Sequence, residues 1–387
     1  LWSENIAQAK SIETKQLRAQ ANKSRSLHID RSALENMFSA VDKIVSLTLP
    51  LPNGLTIDLK LTPSSILSAD LAAKYPTFMS YRGQQVGQPE NIGRFSISHL
   101  GLFGFFRYQN KWMLLSPKHQ EASDEYLSYW YQDATPEIGI EAFSDDILYT
   151  SKVSHSLQPL QKFASSGDTI RTYRLAIATT GEYTQKLGGT ANNVIAELMN
   201  LVNRINQILL VDLGIQFELI DNTAIIFFDA QTDPFTNQDI STDIDTNQSV
   251  IDDAIGKDNY DLGHLLGTNG GGLAVLQSLC DINVKAKGYT GLSSPQGERF
   301  YIDLVAHEFG HQLGANHSFN AKNSDSCSSS QRENGAAYEP GSGSTIMAYA
   351  GICDPKNLTN ISDPYFQPVS MQEIPASKPH RTWPRMR

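Results

Sequence analysis

"HEFGHQLGANH" (residues 307–317) is the stretch from which the rest of the chain is read. His307 and His311 stand four residues apart. On a helix that spacing puts both imidazoles on one face, one turn apart, where they can hold one metal ion without backbone movement. Glu308, beside the first histidine, is placed to reach a metal-bound water rather than the metal. This is the pattern of a hydrolytic zinc site with the glutamate as general base. The chain must then leave the helix and bring His317 back to the same ion, and Gly314 can take the left-handed conformation that such a turn needs. Three neutral histidines leave a fourth position open to water, which marks a catalytic rather than a closed structural site. A lone HExxH is common by chance. The longer pattern fixes five positions, and its chance occurrence in a chain of this length is below roughly one in a thousand.

Working outward, "RFYIDLVAHEFGHQL" (299–313) carries the helical pattern that the metal motif requires. Upstream, "TYRLAIATT" (172–180) reads as a buried strand. "TANNVIAELMNLVNRINQILLVDLG" reads as a long helix, with Val194, Leu198, Leu201, Val202, Ile205, Ile208 and Leu209 at helical spacing. Thr190 is its expected N-cap and Gly214 its end. "IQFELI" (215–220), "YDLGHLLG" (260–267), "GLAVL" (272–276) and "AKGYTGL" (286–292) read as further strands, and the acidic "DISTDIDTN" (239–247) as a solvated loop. This order predicts an α/β unit over 171–376, a mixed twisted sheet carrying a long helix and an active-site helix.

The first half has a different grammar. "IVSLTLPLPNGLTIDLKL" alternates around a Pro-Asn-Gly turn and reads as a hairpin. "RFSISHLGLFGFFRYQNKWMLL" reads as two strands and "EYLSYWYQ" as another, so residues 1–150 form a mainly β domain. Residues 1 to about 30 read as a weak helix or loose arm, 151–170 as a polar linker, and the basic 377–387 as a tail. At 387 residues, two domains are expected. The formal net charge of -10 and the lack of a basic, aromatic-laced stripe argue against nucleic acid. No apolar run reaches the ~18 residues of a membrane helix. The chain opens "LWSENIAQAK", without an initiator Met or an apolar signal core, as if a targeting segment were already removed or the sequence began inside the gene. Cys327 and Cys353 flank a Gly/Ser-rich stretch and can close a loop, which would fit an oxidising compartment and export. The odd count leaves Cys280 unbridged and expected to be buried.

The zinc motif is the signature of the metzincin metalloproteases, which this sequence resembles. The resemblance implies a methionine turn beneath the zinc site, and "GSGSTIMAYAG" (341–351) supplies it, with Met347 as the floor. Within the metzincins the chain looks most like reprolysins of the adamalysin type, in a secreted bacterial branch. "TYRLAIATTGEY", "NYDLGHLLGTNGGGLAVL", "LCDINVKAKGYTG" and "AYEPGSGSTIMAYAGIC" carry that likeness over most of 171–370. The first half, with "PLPNG", "AAKYPTFMSYRGQ" and "YLSYWYQD", looks like that branch's propeptide. Two positions depart from the pattern. Ser318 stands where animal reprolysins usually place Asp. Tyr349, two residues after Met347, matches a tyrosine that in astacin-like and serralysin-like enzymes touches zinc and then the oxyanion.

The resemblance implies a secreted zinc endopeptidase made as a latent zymogen. His307, His311 and His317 would be its Zn2+ ligands, Glu308 its base, and Tyr349 a further catalytic residue. The alternative is a catalytically inactive zinc-binding adhesion module; a zinc amidase acting on a non-protein substrate is a smaller one. The protein or peptide substrate would bind as an extended, antiparallel strand along "GLAVL", with Gly270, Gly271 and Gly272 allowing close approach, unless these glycines form only a flexible loop. The resemblance also places Arg174 where many reprolysins have a calcium-binding Glu and Asp261 at its acidic partner. An ion pair is expected there in place of calcium, while calcium elsewhere stays open. The chain's own propeptide would act as inhibitor. With no cysteine before Cys280, a thiolate switch is excluded, and Asp133, Asp145, Asp146 and His155 are the candidate zinc-blocking groups, with bulk alone as the other possibility.

Overall fold

The computed structural model describes residues 1–4, 17–39, 43–135, 145–148, 170–322 and 327–374. The expected linker except its last residue, the tail and His155 lie outside them.

The first half builds a nine-stranded antiparallel sheet. Its strands are β1 (Trp2–Glu4), β2 (Arg25–Ile29), β3 (Val45–Pro50), β4 (Thr56–Pro63), β5 (Met79–Gln85), β6 (Gln88–Ser98), β7 (Gly101–Tyr108), β8 (Lys111–Pro117) and β9 (Glu125–Trp130), in the order β1-β2-β9-β8-β7-β6-β5-β4-β3. The hairpin expected around Pro52-Asn53-Gly54 is β3–β4, with Leu47 opposite Leu59. Two expectations are corrected. Residues 94–115 contribute to three strands rather than two, because Gln109 and Asn110 take positive φ (48° and 63°) and turn β7 into β8 in two residues. The N-terminal arm is partly strand, since β2 joins the sheet against β9.

A six-stranded sheet joins β10 (Asp145–Leu148), from the end of the first half, to β11 (Arg171–Thr179), β12 (Ile215–Leu219), β13 (Leu262–Gly267), β14 (Gly271–Val275) and β15 (Gly288–Gly291) of the second, in the order β10-β14-β15-β13-β11-β12. Only the β14–β15 pair is antiparallel. The long helix Ala191–Leu213 is capped by the Thr190 side chain and closed by Gly214 at φ 63°, as the sequence predicts. By length and composition alone this helix is long and apolar enough to cross a membrane, a test that the core helix of a folded protein also passes. Most of it, however, is buried inside the protein. It lies between the two sheets, touching β12 on one side and β6 and β7 on the other. The principal core is continuous around it, from Phe103, Phe105 and Leu114 of the first half through Leu198 and Ile205 to Phe309 and Met347 at the site.

The acidic stretch 239–247 is not a loop. It enters the helix Ile240–Ile255, with Asp239 as N-cap and Ile244 and Ile251 buried. The helical run at 299–313 is real but begins as a π-helix, Arg299–Val305, and becomes α-helical only over Ala306–Leu313. Cys327 and Cys353 form the disulfide, with Cα atoms 5.3 Å apart. Cys280 lies outside it and is exposed rather than buried.

Candidate metal centre and active site

His307 and His311 project from one face of the active-site helix Ala306–Leu313. Gly314 ends that helix in the left-handed region (φ 117°), its N–H donating to the Gly310 and His311 carbonyls. The chain reverses there, and His317 meets the other two. All three residues are buried, and their ligand atoms converge. His311 Nε2 lies 3.0 Å from both His307 Nε2 and His317 Nε2. Each Nδ1 faces a carbonyl: Ile346 for His307 (2.6 Å), Ala315 for His311 (2.7 Å) and Gln331 for His317 (2.6 Å). A carbonyl only accepts, so the proton of each neutral ring sits on Nδ1 and every Nε2 presents a lone pair. Three lone pairs packed at this distance repel unless a cation lies among them. The donor set therefore fits a zinc ion, which takes imidazole nitrogens at about 2.0–2.1 Å and uses such outer hydrogen bonds to fix the tautomer.

Met347 is fully buried beneath the helix. A Cβ added to Gly310 would stand 2.2 Å from its sulfur, so glycine at this position is what lets the methionine approach. The turn carrying Met347 is held by Glu339, which accepts from the Ser344 and Thr345 amides (2.8 and 3.1 Å) and from the Thr345 hydroxyl (2.5 Å). The Ser318 hydroxyl donates to the same carboxylate at 2.6 Å. Hence Ser318, the departure from the reprolysin pattern, ties the third histidine to the methionine turn through Glu339. Nothing in the spacing of Glu339 singled it out.

Glu308 is fully buried and faces the rim strand β14. A Cβ on Gly272 would fall 1.8 Å from Glu308 Oε1. Of the three glycines 270–272, Gly271 and Gly272 thus lie in a buried strand rather than a flexible loop, and Gly272 makes room for the carboxylate. Tyr349 is buried, stacked on Phe319 (4.4 Å between ring centres) and edge-on to His317 (4.7 Å). Behind the helix, the His264 ring links Gln312 Oε1 (2.9 Å) to the Thr290 hydroxyl (2.9 Å), and Gln312 Nε2 donates to the Gly263 carbonyl (3.0 Å). These groups fasten the helix to β13 and β15. They belong to no motif, so the sequence did not point to them.

Arg174 and Asp261 form the expected ion pair, at 2.8 Å between Nη2 and Oδ1 and 3.2 Å between Nε and Oδ2. Of the groups considered for blocking the zinc, Asp133 sits in the short 3-10 turn after β9, away from the histidines in sequence. Asp145 and Asp146 lie on β10, opposite Gly272 and Leu273 of the rim strand.

Three buried histidines converge on this mixed α/β scaffold as a metal-binding group would. The sequence profile of the reprolysin-like metallopeptidases, family M12B, matches residues 169–375, and the chain belongs to that family. Among solved structures it is similar to metalloproteinase-II from Bacteroides fragilis, at 10% identity and a TM-score of 0.46, covering 90% of this chain and 95% of that one. No curated protein matches.

Proposed function

We propose that this metallopeptidase is a zinc endopeptidase with Glu308 as general base, secreted and kept latent by its own first half. The observation that carries the reading is the convergence of three Nε2 lone pairs beside a buried carboxylate pressed against the rim strand. His307, His311 and His317 would hold a zinc ion, which would supply Lewis acidity to a water and to a peptide carbonyl. Glu308 takes the water proton on a carboxylate oxygen and delivers it to the leaving amine nitrogen. The Nδ1 hydrogen bonds hold the imidazoles in one tautomer throughout, and Met347 closes the site from below. Tyr349, against His307 and His317, is the residue assigned to the developing oxyanion.

A substrate strand would lie along the edge of β14 away from β15, and that edge supports the latency reading. Residues 145–148 occupy it, parallel to β14, with Leu276 N donating to the Leu148 carbonyl at 2.9 Å. An antiparallel substrate must displace this segment, so latency needs no thiolate. The Cys327–Cys353 disulfide supports export to an oxidising compartment.

Glu308→Ala tests the mechanism. It is expected to bind zinc at one equivalent but to lose roughly 10²–10⁴-fold in peptide hydrolysis, the usual contribution of a general base. His311→Ala should lose metal and activity together. Near-normal casein hydrolysis by Glu308→Ala would rule out the mechanism. Zinc binding by the wild-type protein with no hydrolysis, even after cleavage between the halves, would favour the adhesion module.

A further inference from the structure

His307 and His311 are held by the backbone ladder of their own helix. His317 is not, because residues 315–318 run as irregular chain after the turn at Gly314. The place of the third ligand is therefore fixed by contacts from elsewhere. On one side of it the Ser318 amide donates to the Met347 carbonyl at 2.9 Å. On the other, Asn316 is fully buried and held by the carboxylate of Glu373.

The Asn316–Glu373 contact has two prongs. The Asn316 amide N–H donates to Oε2 and its side-chain Nδ2 to Oε1, both at 2.8 Å. Two bonds from one residue to one carboxylate fix its backbone and side chain together, and bonds to an ionised acceptor are about twice as strong as neutral ones. Glu373 ends the helix Pro368–Glu373, 57 residues further along the chain. The same segment closes around the active-site helix. Phe366 is buried, and its ring would stand 3.2 Å from a Cβ on Gly310. The Glu373 carbonyl would stand 3.7 Å from a Cβ on Gly314. The Phe366 amide donates to Asp212, near the end of the long helix, at 2.8 Å. The C-terminal segment thus meets the ligand-bearing stretch at Gly310, Gly314 and Asn316.

We infer that Glu373 is a positioning residue for the metal centre. Through Asn316 it holds His317 where its Nε2 meets those of His307 and His311, so the helix Pro368–Glu373, which belongs to no motif, is part of the metal site. A ligand on a loose loop must be ordered as the ion binds, and the entropy of that ordering is subtracted from affinity. The two-pronged contact orders the loop beforehand.

This inference rests on the zinc reading of the three histidines, and the experiment separates the two. Zinc affinity of the full-length protein is measured by competition with a chromogenic chelator, well below the unfolding temperature. Amide hydrogen exchange over 314–318 is followed in zinc-free protein. Glu373→Ala should weaken zinc binding by about 10–100-fold, the usual cost of losing an outer partner of a metal ligand, and should speed exchange in that stretch. Glu373→Gln should do less. The Asn316 amide can turn over, and its Oδ1, which has no partner among the described residues, can accept from the glutamine Nε2. Asn316→Asp sets one carboxylate against another and should weaken zinc at least as much as Glu373→Ala. Adding Glu373→Gln to it puts a donor opposite the acceptor again and should recover most of the loss. A contact that only docked the chain end would lower the unfolding temperature and leave the zinc affinity of the folded protein unmoved. Affinity within about twofold of wild type in Glu373→Ala, or no recovery in the double variant, overturns the assignment with the metal centre intact. A wild-type protein that binds no zinc overturns both.

Discussion

At the scale of single residues, the site depends on absences of side chain as much as on its ligands. Gly272 and Gly310 face Glu308 and Met347 across gaps that no Cβ can enter, at 1.8 and 2.2 Å. Gly310 lies in the interior of a helix, where glycine costs about 1 kcal/mol relative to alanine. The methionine contact accounts for its presence. Gly272 sits in a strand, where the displaced group would be the flexible end of Glu308 rather than backbone. Gly272→Ala should therefore fold and bind zinc, but with the carboxylate driven from its position. An activity loss of at least about a hundredfold is expected, approaching that of removing the base. Peptide kinetics beside a zinc titration checks this, and activity within a few-fold of wild type would show that Glu308 does not act from where it lies.

Among the elements, the sequence was most legible where one periodicity or one motif decides. The long helix could be read from its apolar spacing and both ends, because Thr190 and Gly214 carry local stop-and-start chemistry. The three ligands were legible for the same reason. What escaped was decided by contacts distant in sequence. The helix Ile240–Ile255 was hidden among Asp, Thr and Asn, yet its Asp243 is buried and accepts from the Thr236 and Asn237 amides (2.7 and 2.9 Å). Asp239 and Asp243 accept from backbone amides, while Asp245 faces water and pairs with Lys287. The switch from π- to α-helix before His307 leaves no trace in the spacing. Nor does a strand histidine announce the bracing of the active-site helix, and yet His264 has a measurable signature there. Burial pushes its pKa down to about 4, with the Gln312 hydrogen bond acting the other way. The unfolded chain takes up this proton near pH 6.5 and the folded one does not. Stability is thus undiminished above about pH 6.5 and falls as the pH drops toward 4, by roughly 2 kcal/mol between pH 7 and 5. Urea unfolding in chelator, so that metal release does not intervene, should show this slope. His264→Gln should be less stable at pH 7 but with a flatter pH dependence, since other titrating groups cancel in the comparison. Equal slopes would mean that the ring is not buried neutral.

On the scale of the whole molecule, the two halves share one core. Leu100, Phe103, Phe105, Leu114 and Tyr131 from the first half belong to the same apolar cluster as Val194, Leu198, Val202 and Phe300 from the second. Polar contacts follow the same seam. Arg18 pairs with Glu197 at 2.5 Å with both side chains almost completely buried, and Glu197 also receives the Tyr301 hydroxyl. The buried Arg94 reaches Asn203 (3.5 Å) and Gln216 (3.3 Å). An inhibitor held only by strand addition at β14 would leave once its tether was cut, because a four-residue edge strand gains little by itself. Here, departure of the first half would also expose the far side of the long helix, at roughly 1.5–3 kcal/mol for each large apolar side chain returned to water. Cleavage between the halves, in 151–169, is therefore expected to free the tether of residues 145–148 without freeing the domain. The two fragments should co-elute from a sizing column at micromolar concentration, and should do so equally at low and high salt because apolar contact outweighs the ion pairs. Separation should require denaturant or digestion of the nine-stranded sheet itself. Fragments that elute apart in plain buffer as soon as they are cut would show that the shared core does not hold them, and that the first half is a detachable cover.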